Sequence, residues 1–356
     1  MKKLISLIVM TLLVASAMPA VFAASVGSGV TPDITTEDFP PEVWMCDHRV
    51  VYDDATEPGR ISKDGQTLVE RINNYAFEGE QIQWKVLVMD KNGVEKMGDV
   101  FATIGDVQGE GNDIEVNCQE SSYHAGEILA SCNARLGEEY ITEWNSDVMR
   151  YYECTLTIET PESMYGEYWI TVEATDLDGL SGTMAENEYW FLNPVIALSV
   201  DGDLTFEDVR PGTDTYSETL LLGNDADDGS GVLLDMFVSG TDFYDSSSSG
   251  AMCPETNQLQ LKNFRYYATN GAYSTLNDAR KDIEGYVGIG YGIGFNNPNK
   301  FYDAYEMIQA QKQGPYYAAN ILAPGSEMSV TFKLSLPEPC NGDFDTGSIY
   351  FWGEAI

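Results

Sequence analysis

The clearest pattern in the chain is Glu327-Met328-Ser329-Val330-Thr331-Phe332-Lys333-Leu334-Ser335-Leu336. Apolar side chains occupy every second position from Met328 to Leu336, with small or charged residues between them. Successive side chains of a β-strand point to opposite faces of a sheet, so this period of two predicts a strand with one face in a core.

Similar short stretches recur along most of the chain, and sequences such as Asp90-Lys91-Asn92-Gly93 and Asp176-Leu177-Asp178-Gly179 separate them. Asn and Gly at such positions supply the backbone conformations that tight turns require. The pattern predicts an all-β chain built from antiparallel β-sandwiches. The predicted strands are 43–52, 81–89, 97–104, 152–158, 168–174, 188–192, 196–200, 219–224, 232–243, 328–336 and 346–351.

The first 42 residues differ from the rest of the chain. Lys2 and Lys3 precede the apolar run 4–14, and small residues follow up to Ala23. This order predicts a secretory signal at residues 1–23 that is cleaved after Ala23. Residues 24–42 are rich in Gly, Ser, Thr, Pro and acidic residues, which predicts an extended tail.

Asn193-Pro194 is the predicted boundary between two domains. Residues 43–194 are expected to form one β-sandwich and residues 195–356 a second, jelly-roll-like one. A single helix near 298–313 is expected in the second domain. Pro298 suits its first turn, Gly314-Pro315 would end it, and apolar side chains between them recur at helical spacing.

Six cysteines lie beyond the predicted signal, an even number that favours disulfides in an exported protein. Only Cys253 and Cys340 lie in the second domain, so a bridge between them is predicted. The first domain contains the other four cysteines and allows three connectivities, among which the short loop favours Cys118 with Cys132. The cysteines of the first domain are Cys46, Cys118, Cys132 and Cys154.

The chain is strongly acidic, with 57 Asp and Glu against 19 Lys and Arg and a net charge of −38. A nucleic-acid-binding protein needs a basic surface that releases counterions from phosphates. The charge therefore excludes nucleic acid as a partner. Hydrophobic residues make up 43% of the chain, enough for packed cores beneath an acidic surface.

The residues offer little for catalysis. The chain has two histidines, His48 and His124, and lacks the Gly-x-Ser-x-Gly, His-Glu-x-x-His and Walker motifs. The alternation of Gly288 to Gly294 indicates a strand rather than a phosphate-binding loop. The sequence predicts a protein that is not an enzyme and has no organic cofactor.

Acidic turns are candidates for calcium binding, because Ca²⁺ takes six to eight oxygen ligands from carboxylates and carbonyls. The alternative is that these acids form turns and stay solvated. Neither cluster has the full spacing of an EF-hand loop. The candidate ligands are Asp176 and Asp178 in one turn and Asp225, Asp227 and Asp228 in another.

Two resemblances accompany these patterns. Residues 168–179, Tyr-Trp-Ile-Thr-Val-Glu-Ala-Thr-Asp-Leu-Asp-Gly, resemble the penultimate strand and turn of immunoglobulin-like domains on microbial cell-surface proteins. In the second domain, Val209-Arg210-Pro211-Gly212, a strand ending at Asn224 and the late stretch 347–351 resemble secreted β-sandwich proteins of the TasA and WxL type. The first resemblance implies that residues 43–194 form an immunoglobulin-like sandwich. The second implies a fibre subunit or a wall-associated module.

These features predict a secreted structural or adhesive cell-surface protein that self-associates in a surface layer or fibre. Its expected partners are copies of itself, other envelope proteins or glycans, and residues 24–36 could add a strand to a neighbouring sheet. No membrane span is expected in the mature chain. The alternative is a carbohydrate-binding module, which would need several of the 21 Tyr and 6 Trp rings on one exposed face.

Overall fold

β-Strands form nearly all of the regular structure in the computed structural model, and the prediction of an all-β fold is confirmed. The structure describes residues 37–53, 73–109, 111–122, 124–134, 139–184, 188–247, 250–254, 256–292, 304–314 and 316–356. These residues include no helix of the length and apolar character that crossing a membrane requires. Residues 39–356 form one compact unit.

The strands of the first half, as far as the structure describes it, are β1 (Glu42–Asp53), β2 (Tyr75–Ala76), β3 (Glu80–Met89), β4 (Met97–Gly105), β5 (Ile114–Asn117), β6 (Gln119–Ser121), β7 (Met149–Thr157), β8 (Gly166–Asp176), β9 (Ser181–Thr183) and β10 (Glu188–Leu192). Those of the second half are β11 (Leu198–Asp201), β12 (Asp214–Asn224), β13 (Leu234–Gly240), β14 (Phe243–Tyr244), β15 (Gln258–Leu259), β16 (Phe264–Asn270), β17 (Tyr273–Ser274), β18 (Val287–Gly288), β19 (Gly290–Tyr291), β20 (Tyr305–Glu306), β21 (Lys312–Gln313), β22 (Tyr316–Tyr317), β23 (Ile321–Leu322), β24 (Glu327–Ser335) and β25 (Ile349–Ala355). Short 3-10 helices lie at Val94–Lys96, Ala130–Asn133, Leu261–Asn263, Thr275–Asn277 and Ala318–Asn320.

Two sheets built from β1 to β10 form the first sandwich. One has the strand order β1, β3, β7, β6, and the other has the order β2, β10, β8, β4, β5, with β9 also paired to β8. The alternating apolar residues of the strands form one buried cluster to which both sheets contribute. Burial of each large apolar side chain contributes about 1.5–3 kcal/mol. Central members are Ile82, Trp84, Val86, Val100, Ala102, Ile104, Ile170, Val172, Ala174 and Trp190.

Two further sheets form the second sandwich, which contains the strands of the second half. In one, the order is β11, β12, β24, β16, β17, with β18 also paired to β16. In the other, β13 pairs with β19, β20, β23 and β25. Met328, Val330 and Phe332 of β24 have no exposed surface and lie in the core to which both sheets contribute. The apolar alternation at residues 327–336 therefore marks a strand in the interior of its sheet.

The two halves also touch each other. Tyr75 of β2 and Phe191 of β10 belong to the apolar cluster of the second sandwich. The Tyr75 hydroxyl donates a hydrogen bond of 2.6 Å to the backbone oxygen of Ile356, at the end of the chain. The Tyr165 hydroxyl donates to Asp227 Oδ2 over 3.1 Å. Apolar packing, one buried hydrogen bond and one exposed hydrogen bond thus join the first sandwich to the second.

The predicted helix near 298–313 is wrong for the part that the structure describes, residues 304–313. Here Tyr305–Glu306 pairs with β13 and Lys312–Gln313 pairs with β22. The Met307 amide donates to the Met236 carbonyl, and the Ile308 amide donates to Asn320 Oδ1. Neighbouring strands and loops, rather than a helical turn, satisfy these backbone groups. Residues 298–303 lie outside the described residues, as do the predicted signal at 1–23 and the segment 24–36.

Three disulfides are present, and the predicted bridge between Cys253 and Cys340 is confirmed. The first half pairs Cys46 with Cys132 and Cys118 with Cys154, so the predicted bridge between Cys118 and Cys132 is wrong. The reason is strand register. Since Gln119 lies opposite Glu153 in the antiparallel pair β6–β7, Cys118 is brought opposite Cys154.

Disulfide mapping tests this connectivity. Non-reducing proteolysis and mass spectrometry of the oxidised protein should recover linked peptides for the pairs 46–132, 118–154 and 253–340. A linked peptide containing both Cys118 and Cys132 would contradict the β6–β7 register. Replacing Cys118 and Cys154 together by Ala should lower the free energy of unfolding by about 2–4 kcal/mol, measured by denaturant titration.

Candidate ligand-binding face

The outer face of the sheet β12–β24–β16 carries a group of three tyrosines, in which one ring contacts the other two. Register places Tyr216 of β12 opposite Lys333 of β24, and places Thr331 of β24 opposite Tyr267 of β16. The inward neighbours of these residues are buried, so strand alternation turns the rings outward. The Tyr216 side chain is 47% exposed to solvent.

Tyr286 completes this group, which we call the tyrosine face (Tyr216, Tyr267 and Tyr286). Its ring centroid lies 5.8 Å from that of Tyr216 and 5.7 Å from that of Tyr267, with tilted planes. These separations are typical of favourable aromatic pairs. Three rings from distant parts of the sequence thus form one continuous, partly exposed aromatic surface.

A glycine allows Tyr286 to reach this position. Gly285 has φ of +92°, and a Cβ there would lie 2.7 Å from Leu276 and 3.0 Å from the Tyr267 ring. Any other residue would strain the backbone and push the segment away from Tyr267. Gly285 therefore holds the strand β18 and Tyr286 close to the sheet.

Charged groups surround the rings. Lys333 Nζ lies 5.7 Å from the centre of the Tyr286 ring, 2.6 Å from Glu284 Oε2 and 3.1 Å from Asp214 Oδ2. The hydrogen bond to Glu284 raises the pKa of Lys333, so it stays protonated at neutral pH. Arg265 Nη1 lies 3.8 Å from Asp282 Oδ2. Both cations at the face are thus paired with carboxylates.

An ion pair between the buried Asp278 and the partly exposed Arg280 fixes the segment that carries Tyr286. Asp278 has no exposed surface, and its carboxylate accepts hydrogen bonds from Arg280 Nε and Nη2 and from the Gln309 amide. Arg280 Nη2 also donates to the Glu306 carbonyl over 2.7 Å. Burial by itself would raise the pKa of Asp278, but the hydrogen bonds and charge of Arg280 lower it below its ordinary value.

The predicted calcium ligands of the first sandwich take part in a turn. Asp176 is almost fully buried, and its Oδ1 accepts hydrogen bonds from the amides of Asp178 and Leu180 over 2.9 and 2.7 Å. Asp178 Oδ2 lies 2.8 Å from Lys96 Nζ. One oxygen of Asp176 thus closes the turn, and Asp178 is paired with a cation.

The acids of the second cluster, Asp225, Asp227 and Asp228, differ in their contacts and exposure. Asp227 Oδ2 accepts hydrogen bonds from the Tyr165 hydroxyl and the Val195 amide, which links the two halves. Asp225 and Asp228 are exposed. Among the residues that the structure describes, no three Asp, Glu, His or Cys side chains lie in an arrangement that could hold a metal ion. Calcium binding by these five acids stays a prediction.

Comparison of the chain with protein-family models found no match, and comparison with curated proteins found none either. The resemblances to immunoglobulin-like and to TasA- and WxL-type proteins therefore stay predictions.

Several solved structures share a distant similarity with the chain. The C-terminal domain of the AgI/II polypeptide BspA from Streptococcus agalactiae is 11% identical, with 89% of this chain and 97% of that chain covered and a TM-score of 0.29. A putative secreted protein from Eubacterium rectale is 8% identical, with 93% and 98% covered and a TM-score of 0.22. The sialic acid binding region of a Streptococcus sanguinis SK1 adhesin, bound to 3'sLn, is 12% identical, with 90% and 76% covered and a TM-score of 0.21. Similarities this weak carry no inference about the ligand of this chain.

The Asp278–Arg280 pair generates a pH-dependent prediction. A lowered pKa in the folded state means that the pair stabilises the fold above the ordinary pKa of about 3.9 and that this stability is lost as pH falls through the folded pKa. Asp278→Asn should therefore lower the free energy of unfolding by about 1–3 kcal/mol at pH 7, because it removes the charge from the hydrogen bonds that Arg280 donates. Denaturant titrations between pH 7 and pH 3 should show the penalty shrinking below about pH 4.

Asp343→Asn is the matched control, since Asp343 is exposed and the substitution removes the same charge. It should change the free energy of unfolding by no more than about 0.5 kcal/mol. A penalty for Asp278→Asn that is equally small, or that does not depend on pH, would contradict the role assigned to the pair.

Proposed function

We propose that the protein is an extracellular adhesive module that binds neutral carbohydrate polymers on the tyrosine face. The observation that carries the proposal is that Tyr286 contacts both Tyr216 and Tyr267 on one partly exposed sheet surface. This is the arrangement that the carbohydrate-binding alternative requires of the sequence. Tyrosines that merely fill a core would be buried and scattered.

The chemistry of the face suits a sugar. A pyranose ring has apolar C–H faces that pack on an aromatic ring, and a rim of hydroxyl groups. Tyrosine offers an apolar ring and a polar hydroxyl, as interface residues often do. The carboxylates of Asp214 and Glu284 and the ammonium of Lys333 lie beside the rings and can accept or donate hydrogen bonds to sugar hydroxyls.

The shape of the face favours a polymer over an isolated small molecule. Small-molecule sites are concave and enclose most of their ligand. The tyrosine face lies instead on the outer surface of a sheet, with rings from β12, from β16 and from the residue before β18. A surface of this kind can contact successive units of a chain.

Electrostatics favours a neutral ligand. The chain has a net charge of −38, which repels polyanions at low ionic strength. Lys333 and Arg265, the cations at the face, are already paired with carboxylates. An anionic sugar would have to displace these partners, whereas a neutral sugar would not.

The proposed extracellular location is inferred from the disulfides and from the N-terminal sequence. Three disulfides in one chain fit an oxidising compartment. Together with the predicted signal at residues 1–23, they support secretion to the cell surface or the medium. The function proposed for the face therefore concerns carbohydrates outside the cell.

Binding of neutral polysaccharides tests the proposal. The protein should be retained by a neutral polysaccharide in a glycan array or a pull-down, and Tyr216→Ala and Tyr286→Ala should each weaken binding at least about tenfold, since a truncated aromatic anchor typically costs more than 1 kcal/mol. Tyr216→Phe keeps the ring and should retain most of the affinity.

Tyr140→Ala provides the control, because Tyr140 is 72% exposed in the first half of the chain, away from the sheet that carries the face. Its binding should equal that of the unaltered protein. Retention that survives both face substitutions, or that is confined to anionic glycans and vanishes with added salt, would contradict the proposal. Circular dichroism of each variant establishes that it is folded.

Self-association in a surface layer or fibre stays a separate prediction. Size-exclusion chromatography with light scattering over a concentration series measures it directly. Growth beyond a dimer would support the structural role predicted from the sequence. A monomer at every concentration would leave adhesion as the remaining role and would not affect the tyrosine face.

A further inference from the structure

A buried carboxylate lies at the turn between β3 and β4. Asp90 has no exposed surface, and its amide donates to the Val148 carbonyl. Oδ1 accepts a hydrogen bond of 2.8 Å from the Asn92 amide. Oδ2 is buried and has no hydrogen-bond partner. A buried carboxylate oxygen without a hydrogen-bond partner costs free energy, and a bound cation would offset that cost.

The turn of Asp90 lies directly beside the turn of Asp176. The Gly93 amide donates to the Asp90 carbonyl and the Lys96 amide donates to the Gly93 carbonyl. The Leu177 amide, next to Asp176, then donates to the Lys96 carbonyl over 2.8 Å. The β3–β4 turn, which joins the two sheets of the first sandwich, thus meets the β8–β9 turn of one of those sheets.

Negative charges act on the carboxylate of Asp90. The groups that act on its carboxylate are Asp176, Asp178 and Glu95, and they add to the effect of burial in raising the pKa of Asp90. Lys96 is the nearby cation, and its ammonium lies 2.8 Å from Asp178 Oδ2. A proton on Oδ2 would remove the negative charge but would leave a buried O–H without an acceptor. A divalent cation would satisfy both the charge and the unpartnered oxygen.

We propose that Asp90 and Asp176 bind one divalent cation, with Ca²⁺ the preferred ion, between these two turns. Asp90 supplies Oδ2, and Asp176 supplies Oδ2, because its Oδ1 holds the turn amides. Water and nearby backbone carbonyls complete the oxygen ligands that Ca²⁺ requires. Mg²⁺ binds less well, because it demands a smaller and more regular octahedral site.

The bound ion fixes the relative position of the β3–β4 and β8–β9 turns. It therefore stabilises one end of the first sandwich, far along the chain from the tyrosine face. This inference is independent of the proposed function, since no residue of the tyrosine face takes part. A site with two carboxylates is expected to bind weakly, with Kd about 10⁻⁴–10⁻³ M as in extracellular calcium modules.

Calorimetric titration and thermal unfolding of the full-length protein test the proposal. A chain with 57 acids takes up calcium non-specifically, so the informative quantity is the difference between variants at constant ionic strength. The unaltered protein should bind one more Ca²⁺ than Asp90→Asn, and millimolar Ca²⁺ should raise its Tm. Asp90→Asn should weaken this site at least about tenfold and abolish the rise in Tm.

Asp90→Asn is expected to fold, because it removes a repulsive charge, and in chelator its Tm should equal or exceed that of the unaltered protein. Asp203→Asn is the matched control: Asp203 lies in an exposed Asp-Gly-Asp turn, and its removal should leave the binding of Ca²⁺ and the rise in Tm unchanged. Asp176→Asn should resemble Asp90→Asn if it folds.

Two results would overturn the proposal. If Ca²⁺ changes the Tm of the unaltered protein and of Asp90→Asn equally, the ion binds elsewhere on the acidic surface. If Ca²⁺ has no effect and Asp90→Asn is the more stable protein at neutral pH, a proton or a buried water molecule satisfies Asp90 instead.

Discussion

The structure of the second sandwich depends on the side-chain alternation of β24. Its inward residues Met328, Val330 and Phe332 are buried in the core, while its outward residue Lys333 supports the tyrosine face. Because the side-chain period of a strand is two, a shift of register by one residue would exchange these sets. Pairing with β12 on one edge and β16 on the other then brings Tyr216 and Tyr267 to the same surface. Core packing therefore determines where the aromatic surface forms.

Much of the fold could be predicted from the sequence, because local alternation encodes which residues face a core. The observed strands β3, β4, β8 and β10 differ from their predicted bounds by at most two residues. The helix predicted near 298–313 was wrong for residues 304–313. Apolar residues spaced by three or four also occur in short strands whose amides bond to other elements. The predicted disulfide between Cys118 and Cys132 was wrong for a related reason. Register between strands decides disulfide pairing, and loop length does not.

The candidate sites were harder to predict, because they are formed by contacts between residues far apart in the chain. Tyr216, Tyr267 and Tyr286 come together through strand order, and nothing in their local sequence distinguishes them from core tyrosines such as the buried Tyr266. Asp90 belongs to a turn that the sequence predicts, yet its burial and its unpartnered oxygen appear only in three dimensions. The acidic pattern included Asp176 among the candidate calcium ligands, and that prediction stays untested. It could not show which of the many acidic turns contains a carboxylate without a partner.

The excess of acidic residues bears on both candidate sites, the tyrosine face and the turn that contains Asp90. In the described part of the chain, seven lysines and arginines form salt bridges with carboxylates, and several of them hold turns or the rim of the tyrosine face. These cations are thus already paired with carboxylates, and the remaining carboxylates give the surface its negative charge. A surface of this kind disfavours anionic ligands and concentrates divalent cations. The two proposed ligands, a neutral sugar on the tyrosine face and a divalent cation at the Asp90 turn, are both compatible with this charge distribution.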